Sequence, residues 1–195
     1  MNAGRPLEYD PAEALDAAMQ AFWRRGYEGT SMQDLLDATG LSKSSFYQAF
    51  SGKHQAFQQA LAHYCDTVAA GLRDRLCDAD SGWSFIEGVL LGAADEARMS
   101  GDPRGCMIVN VATEFSTRDA RIRDLIADGA KRVTQVFILA VKQAQAEGDI
   151  PVARDSHVLG RYLLSSLSGI RTMVKAGTQH RAIAEIVAVI MSALK

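Results

Sequence analysis

Apolar residues recur along most of this chain at the three- and four-residue spacing of amphipathic α-helices. Leu15, Ala18, Met19 and Phe22 form one such row, and another extends from Phe57 to Val68. No segment shows a convincing strand pattern. The run CMIVNVATEF at residues 106–115 has strand propensity, but its helical surroundings favour a buried helix. The pattern therefore predicts an all-α protein of about nine helices.

Capping residues predict where the first two helices begin and end. Asp10 suits the N-cap of the first helix, with Pro11 at N1, and Gly26 suits its end. The second helix is predicted to start at Thr30 or Ser31, and Thr30 as N-cap places a glutamine at N3, as in a capping box. A glycine at residue 40 then supplies a tight turn.

The third helix is predicted to start after Ser42, with Leu41 and Phe46 as a hydrophobic staple. This staple leaves a polar face outward. Two short helices joined by a tight turn, the second with a polar outer face, are typical of a helix-turn-helix that reads the DNA major groove. We predict a DNA-binding domain at residues 1–54, in which three helices form the head, and a C-terminal helical bundle at residues 55–195 for sensing and dimerisation.

Each side chain on this polar face has a plausible partner on DNA. The Tyr47 hydroxyl suits a phosphate, Gln48 suits adenine, and Lys43 can reach a guanine or a phosphate. Arg5 lies in an N-terminal segment that is either a minor-groove arm or a solvated tail. Thr30 is either a phosphate ligand, an N-cap, or both. The predicted DNA-binding residues are Arg5, Thr30, Ser42, Lys43, Ser44, Ser45, Tyr47, Gln48 and Lys53.

Charge gives this head only modest support. The chain has a net charge of -2, and acidic residues outnumber basic ones within residues 1–54. No acidic residue lies between Ala38 and Cys65, so the surface around the motif is locally non-negative. One head with few cations binds weakly, and two heads on a rigid dimer recover affinity through effective concentration. We therefore expect a homodimer on a palindrome-like operator of double-stranded DNA.

Apolar rows on the last two helices are predicted to form the dimer interface, as in a four-helix contact. The alternative is that they pack inside one chain. The predicted interface residues are Leu159, Leu163, Leu167, Ile170, Val174, Ile183, Ile186, Val187 and Ile190.

The three cysteines include no C-x-x-C pair, and no secretory signal precedes them, which indicates reduced thiols in a cytoplasmic protein. No histidine has metal-ligand spacing, so we expect neither metal nor cofactor. Cys106 lies near a predicted helix N-terminus and two residues after Arg104, and both features favour a thiolate that could sense oxidants. The alternative is a small buried hydrophobe.

A ligand pocket is expected among the fifth to eighth helices, although nearly all of its candidate residues suit a core equally well. Asn110 differs, because an amide inside an apolar run needs a hydrogen-bond partner, either a ligand or a backbone group. The candidates are Trp83, Phe85, Met107, Asn110, Phe115, Phe137, Tyr162 and Met173.

Residues 11–61 closely resemble the TetR family of transcriptional regulators. The matching features are an aromatic-x-x-x-Gly-aromatic end to the first helix, a Thr-initiated helix, Gly-Leu-Ser-Lys, an aromatic-rich helix and Gly-Lys. His54 departs from the pattern, since an acidic residue is usual there. The segments RGCMIVN and SGIRTMVKAG resemble the NemR-like subgroup, which has a Gly-Cys at the start of the sixth helix. This subgroup includes electrophile-responsive repressors, so the resemblance strengthens the hypothesis that Cys106 is a sensor.

The resemblance implies a repressor released from its operator by a small-molecule ligand or by thiol modification. Two other classes stay open: a helical-bundle small-molecule carrier or enzyme, and an adaptor that binds protein. No catalytic grouping supports an enzyme, and no stretch approaches the about 18 uncharged apolar residues of a membrane span.

Overall fold

The computed structural model describes residues 9–98, 103–115 and 119–195. Over these ranges it consists of α-helices and contains no strand, which confirms the all-α prediction. Contacts divide the chain into two compact units, of which one ends at Tyr64 and the other begins at Cys65. The functional division after residue 54 stays a prediction.

Three short helices and the start of a long one make up the first unit. Asp10 accepts a hydrogen bond from the Ala12 N–H at 2.8 Å and caps the first helix, as expected. Gly26 ends that helix with a φ of 74°. The helices are α1 (Pro11–Arg25), α2 (Met32–Thr39), α3 (Lys43–Phe50) and α4 (Lys53–Cys77), and α4 continues into the second unit.

Aromatic residues fill the core of the first unit. Phe22, Phe46 and Phe57 are at most 1% exposed, and the Phe22 and Phe57 rings meet edge to face with centroids 5.0 Å apart. Leu35 of α2 is completely buried. Burying each such side chain contributes about 1.5–3 kcal/mol, so α1, α2, α3 and α4 are held around one small core.

The N-cap of α2 differs from one of the two predicted alternatives. Ser31 is the cap: its hydroxyl accepts from the Asp34 N–H at 3.1 Å, and the Asp34 carboxylate accepts from the Ser31 N–H at 2.8 Å. Thr30 as the cap, with Gln33 at N3, is therefore wrong. The carboxylate of Asp34 also pairs with the Arg25 guanidinium, which links the ends of α1 and α2.

Asp34 makes the stability of the first unit dependent on pH. Hydrogen bonds from Ser31 and the Arg25 guanidinium lower the pKa of Asp34 from 3.8 to about 2. Because the folded pKa is depressed, the stabilisation is present above about pH 4 and is lost as the pH falls towards 2. In urea unfolding, the free-energy advantage of the wild type over Asp34→Asn should shrink between pH 6 and pH 3. An advantage that is equal at both pH values would contradict this account.

The second unit is a bundle built around its longest helix. Its described residues contain the end of α4 and five further helices, with a short 3-10 turn at Glu96–Arg98. The run at residues 106–115 is helical from Met107, as the sequence context favoured. The further helices are α5 (Gly82–Asp95), α6 (Met107–Phe115), α7 (Ala120–Glu147), α8 (Ser156–Lys175) and α9 (His180–Ser192).

The core of this second unit lies around α7, which packs against α5, α6 and α8. Phe137 of α7 lies against Phe85 of α5, with ring centroids 6.3 Å apart. Leu163 of α8 and Ile183 of α9 are completely buried in the same cluster. The apolar rows of the C-terminal helices thus find their partners within the chain.

Candidate nucleic-acid interface

Three residues connect α2 and α3 in a tight turn. Gly40 caps the C-terminus of α2 in the left-handed region, with φ 67° and ψ 9°. Ser42 then caps the N-terminus of α3 by accepting a hydrogen bond from the Ser45 N–H at 3.1 Å. Leu41 and Phe46 are both buried, in keeping with the predicted hydrophobic staple. These anchors fix which face of α3 turns outward.

The outward face of α3 is polar. Tyr47 is 47% exposed, so much of its side chain is open to solvent. The face also carries hydrogen-bond donors and acceptors of the kinds that contact bases and phosphates. Four predicted residues are exposed and one lies at the border, as expected: Lys43, Ser44, Tyr47 and Gln48, with Ser45 half-buried.

The serines at the start of α3 form a cluster of hydroxyl groups. The Ser42 hydroxyl oxygen lies 3.0 Å from that of Ser44 and 2.9 Å from that of Ser45. A hydroxyl has one donor and two acceptor sites, so Ser42 has little capacity left after it caps the helix. Ser44 is exposed and keeps the greater freedom to contact DNA.

Thr30 does not lie on this outward face. Its side chain is completely buried, and its hydroxyl donates to the Gly26 carbonyl oxygen at 2.6 Å. A buried hydroxyl that already donates to the backbone cannot bind a phosphate from solvent. The predicted phosphate contact of the Thr30 side chain is therefore wrong, and the residue instead stabilises the connection between α1 and α2.

Lys53 is held at the start of α4 by an aromatic ring. Its Nζ lies 4.3 Å from the centroid of the Tyr27 ring, which itself packs against Phe57 with centroids 5.0 Å apart. The Tyr47 ring lies beside Gly52, the residue that precedes Lys53. Lys53 and Tyr47 thus both lie at the junction between α3 and α4. Arg5 lies outside the described residues.

The predicted dimer-interface residues lie in the core of the single chain. Eight of the nine are at most 6% exposed, and Ile186 is partly buried against the same cluster. A side chain that is already enclosed by its own chain has no surface to give to a partner. The prediction is therefore wrong for the buried residues Leu159, Leu163, Leu167, Ile170, Val174, Ile183, Val187 and Ile190.

The amide of Asn110 is satisfied by protein groups. Its Nδ2 donates to the Arg104 carbonyl oxygen at 2.9 Å, and its Oδ1 accepts from Lys175 Nζ at 3.1 Å. The backbone alternative thus accounts for Asn110. Lys175 was not identified from the sequence, because nothing local relates it to a residue so distant along the chain.

A cleft of about 310 Å³ lies between α4, α5 and α8, and none of the predicted pocket residues lines it. Phe85, Met107, Phe115 and Phe137 are instead buried in the core. Trp83, Tyr162 and Met173 are partly buried, and Lys195 Nζ lies 5.1 Å from the Trp83 ring centroid.

The three cysteines have different surroundings. Cys106 is partly exposed directly before α6, and its carbonyl oxygen accepts from the Asn110 N–H at 3.0 Å. Cys65 is 2% exposed, and burial raises the pKa of its thiol to about 11. A side chain on Gly129 would clash with the Cys65 sulfur, so α4 and α7 are in close contact there. Cys77 is exposed at the end of α4.

Within 9–98, 103–115 and 119–195, no three His, Cys, Asp or Glu side chains gather as they would around a metal ion. In the same part of the chain, no helix has the length and apolar character needed to span a membrane.

Comparisons with known proteins agree with this architecture. Residues 14–60 match the model of bacterial regulatory proteins of the tetR family, and residues 101–190 match the tetracyclin repressor-like C-terminal domain. The HTH-type transcriptional repressor ComR of Escherichia coli (strain K12) is 30% identical over 187 residues, which cover 94% of this chain and 88% of ComR.

Solved structures of TetR-type regulators are also similar to this chain over most of its length. A cysteine mutant of the TetR family transcriptional regulator CifR, in complex with 26-base-pair operator DNA, is 29% identical with a TM-score of 0.82, over 98% of this chain and 100% of that chain. The reduced form of NemR from E. coli has a TM-score of 0.83 at 18% identity, over 92% of this chain and 94% of that chain. The NemR likeness is one of fold.

Proposed function

We propose that this chain, which belongs to the TetR family and is a DNA-binding transcriptional regulator, represses transcription as a homodimer. A small molecule or modification of Cys106 releases the homodimer from its operator DNA. The observation that carries the DNA-binding site is the polar, outward face of α3, which the turn at Gly40 and the buried Phe46 fix in place. Such a helix contacts base edges in the major groove while flanking groups hold phosphates.

Each residue of the interface has a distinct role in this proposal. Gln48 and Ser44 read base edges, and Tyr47 holds a phosphate through its hydroxyl. Lys43 and Lys53 neutralise phosphates, with Lys53 positioned by the Tyr27 ring. A regulator with these contacts acts in the cytoplasm, where its operator lies, and needs no catalytic group.

Binding to DNA from upstream of its own coding sequence tests this proposal. Fluorescence anisotropy at several salt concentrations should show a complex whose affinity falls steeply with salt, and Lys43→Gln should reduce that dependence. Lys131→Gln, which removes an exposed lysine of α7, is the matched control. A protein-binding adaptor or a small-molecule carrier would form no salt-dependent complex on any DNA, and that result would refute the proposal.

In this proposal the dimer forms through the outward faces of α8 and α9. The apolar rows that the sequence predicted for the interface are buried within the chain and take no part. Val158 of α8 is 51% exposed and Val189 of α9 is 67% exposed, so both outer faces carry some apolar surface. Ser165 and Gly169 of α8 are also exposed, and their small size allows a close approach of two helices. Two heads held by such a dimer read a palindrome-like operator, as the modest charge of one head requires.

Modification of Cys106 is one proposed route of release. Its neighbour Asn110 is bonded both to Arg104 and to Lys175, so the segment before α6 is tied to the end of α8. A group added to the Cys106 sulfur enlarges this segment and displaces those contacts. Cys106 is partly exposed and can react, whereas the raised pKa and burial of Cys65 protect that thiol.

N-Ethylmaleimide, which adds to a thiol without another reactant, provides the measurement for Cys106. The wild type and Cys77→Ser should both lose affinity for operator DNA after treatment, and Cys106→Ser should keep it. Cys77→Ser is the matched control because Cys77 is exposed, whereas Cys106 is partly exposed. Loss of DNA binding by treated Cys106→Ser would exclude release through this thiol.

A further inference from the structure

The cleft between α4, α5 and α8 combines an apolar wall with three charged side chains. Leu72 of α4, Val89 of α5 and Leu167 of α8 provide apolar surface. Arg75, Glu96 and Arg171 also line it. Its volume of about 310 Å³ lies at the lower end of the range of small-molecule pockets, which is about 300–1,000 Å³. Apolar walls with a few convergent polar groups are typical of ligand sites.

Arg171 is incompletely satisfied by the protein. Its Nε is buried and has no hydrogen-bond partner among the described residues. Its Nη2 lies 3.5 Å from Glu96 Oε1, which is longer than the about 2.7–2.9 Å of a strong charge-assisted hydrogen bond. Buried donors are nearly always paired, so this guanidinium has capacity for a further acceptor.

Arg75 adds a second positive charge to the same cleft. Its Nη2 would lie 4.0 Å from a Cβ atom on Gly92, so the guanidinium lies beside Gly92 of α5. No ion pair of Arg75 is present among the described residues. With two arginines and one glutamate, the charged lining has a net charge of +1. A single negative charge on a ligand would neutralise it, whereas a dianion would leave one negative charge uncompensated in the cleft.

We propose that this cleft binds a small monocarboxylate with a hydrocarbon portion, and that this compound is the effector; the inference rests on the ligand-controlled release proposed above. The carboxylate accepts from Arg171 Nε and from Arg75, because its two oxygens match the fork of a guanidinium. The hydrocarbon portion lies on Leu72, Val89 and Leu167. The bound carboxylate thereby connects α4 with α8.

This contact provides a route from the ligand to DNA binding. Arg75 belongs to α4, the same continuous helix that begins at Lys53, one of the proposed phosphate contacts. A ligand that binds better when α4 is shifted relative to α8 favours that arrangement at the expense of the DNA-bound one.

Octanoate is the probe, and 1-octanol, octylamine and octyl phosphate are its counterparts with the same chain. Calorimetry on the full-length protein should show octanoate binding at least about tenfold tighter than the other three compounds. Arg171→Gln should weaken octanoate binding about tenfold or more, and Arg161→Gln, an exposed change on the same helix, should leave it within about twofold. Equal binding of 1-octanol, tighter binding of octyl phosphate or no octanoate binding would overturn the proposal.

A second pair of variants keeps the test decisive if Arg171→Gln fails to fold. Arg75 is exposed, so Arg75→Gln should fold normally, and Arg73→Gln is its exposed neighbour outside the cleft. Of these two variants, Arg75→Gln should weaken octanoate binding and Arg73→Gln should not. Octanoate should also lower the affinity for operator DNA, and binding without that effect would overturn the effector role. The DNA complex without octanoate is measured first, so failure of DNA binding is distinguished from failure of this inference.

Discussion

Tyr47→Ala is expected to weaken operator binding by about a hundredfold or more while leaving the melting temperature nearly unchanged. Tyr47 is 47% exposed, so its removal opens no cavity in the core. A hydrogen bond to a charged group contributes about 1.5–3 kcal/mol, and a dimer loses one in each head. The combined loss is then about 3–6 kcal/mol. Anisotropy titration and calorimetric melting measure the two quantities.

Neighbouring variants separate contact from folding. Tyr47→Phe removes only the hydroxyl that contacts the phosphate, so it should lose most of the same affinity for operator DNA. Its ring remains against the turn, so the fold should be unchanged. Phe46→Ala removes a completely buried ring of the same helix, at a cost of about 3–5 kcal/mol in stability. It should lose DNA binding together with its melting transition. Wild-type affinity in Tyr47→Ala would exclude this side chain from the interface.

Gly82→Ala is expected to destabilise the protein by about 3 kcal/mol. A Cβ atom at residue 82 would clash with the Ala140 carbonyl oxygen and would lie 2.6 Å from the Ala144 nitrogen, both in α7. These are backbone atoms inside a helix, so they cannot move aside as a flexible side chain could. For a chain of this length, the melting temperature should fall by about 6–12 °C.

Gly88→Ala is the control for this substitution. Gly88 belongs to the same helix, and nothing lies within 4 Å of the position that its Cβ would occupy. Alanine should raise the stability there by up to about 1 kcal/mol through its helix propensity. Similar melting temperatures for the two variants would show that the contact between α5 and α7 is looser than described.

Local signals in the sequence were sufficient for the helices and for the outward face of α3. Asp10 and Ser42 cap their helices as predicted, because an N-cap is decided within one turn of chain. At the start of α2, two adjacent hydroxyl residues competed. Ser31 is the N-cap because it places Asp34 at N3, whereas Thr30 would place Gln33 there. A carboxylate accepts a hydrogen bond from the N–H of the cap residue more strongly than an amide does.

The packing partners could not be derived in the same way. An apolar row on a helix indicates burial without naming what covers it, so the rows of α8 and α9 were assigned to a dimer although the chain's own core encloses them. The cleft was missed because its arginines come from distant segments. Arg171, an arginine between the buried residues Ile170 and Val174, was a signal of an enclosed charge.

The burial of Cys65 against Gly129 makes local opening of the second unit measurable. The Cys65 sulfur can react with a thiol reagent only in molecules in which α4 and α7 have separated. Its labelling rate is therefore the rate of a free thiol multiplied by the fraction of molecules in that open state. Cys77, exposed on the same helix, supplies a fast reference within the same molecule. The native chain therefore reports the equilibrium of a transient opening without any introduced label.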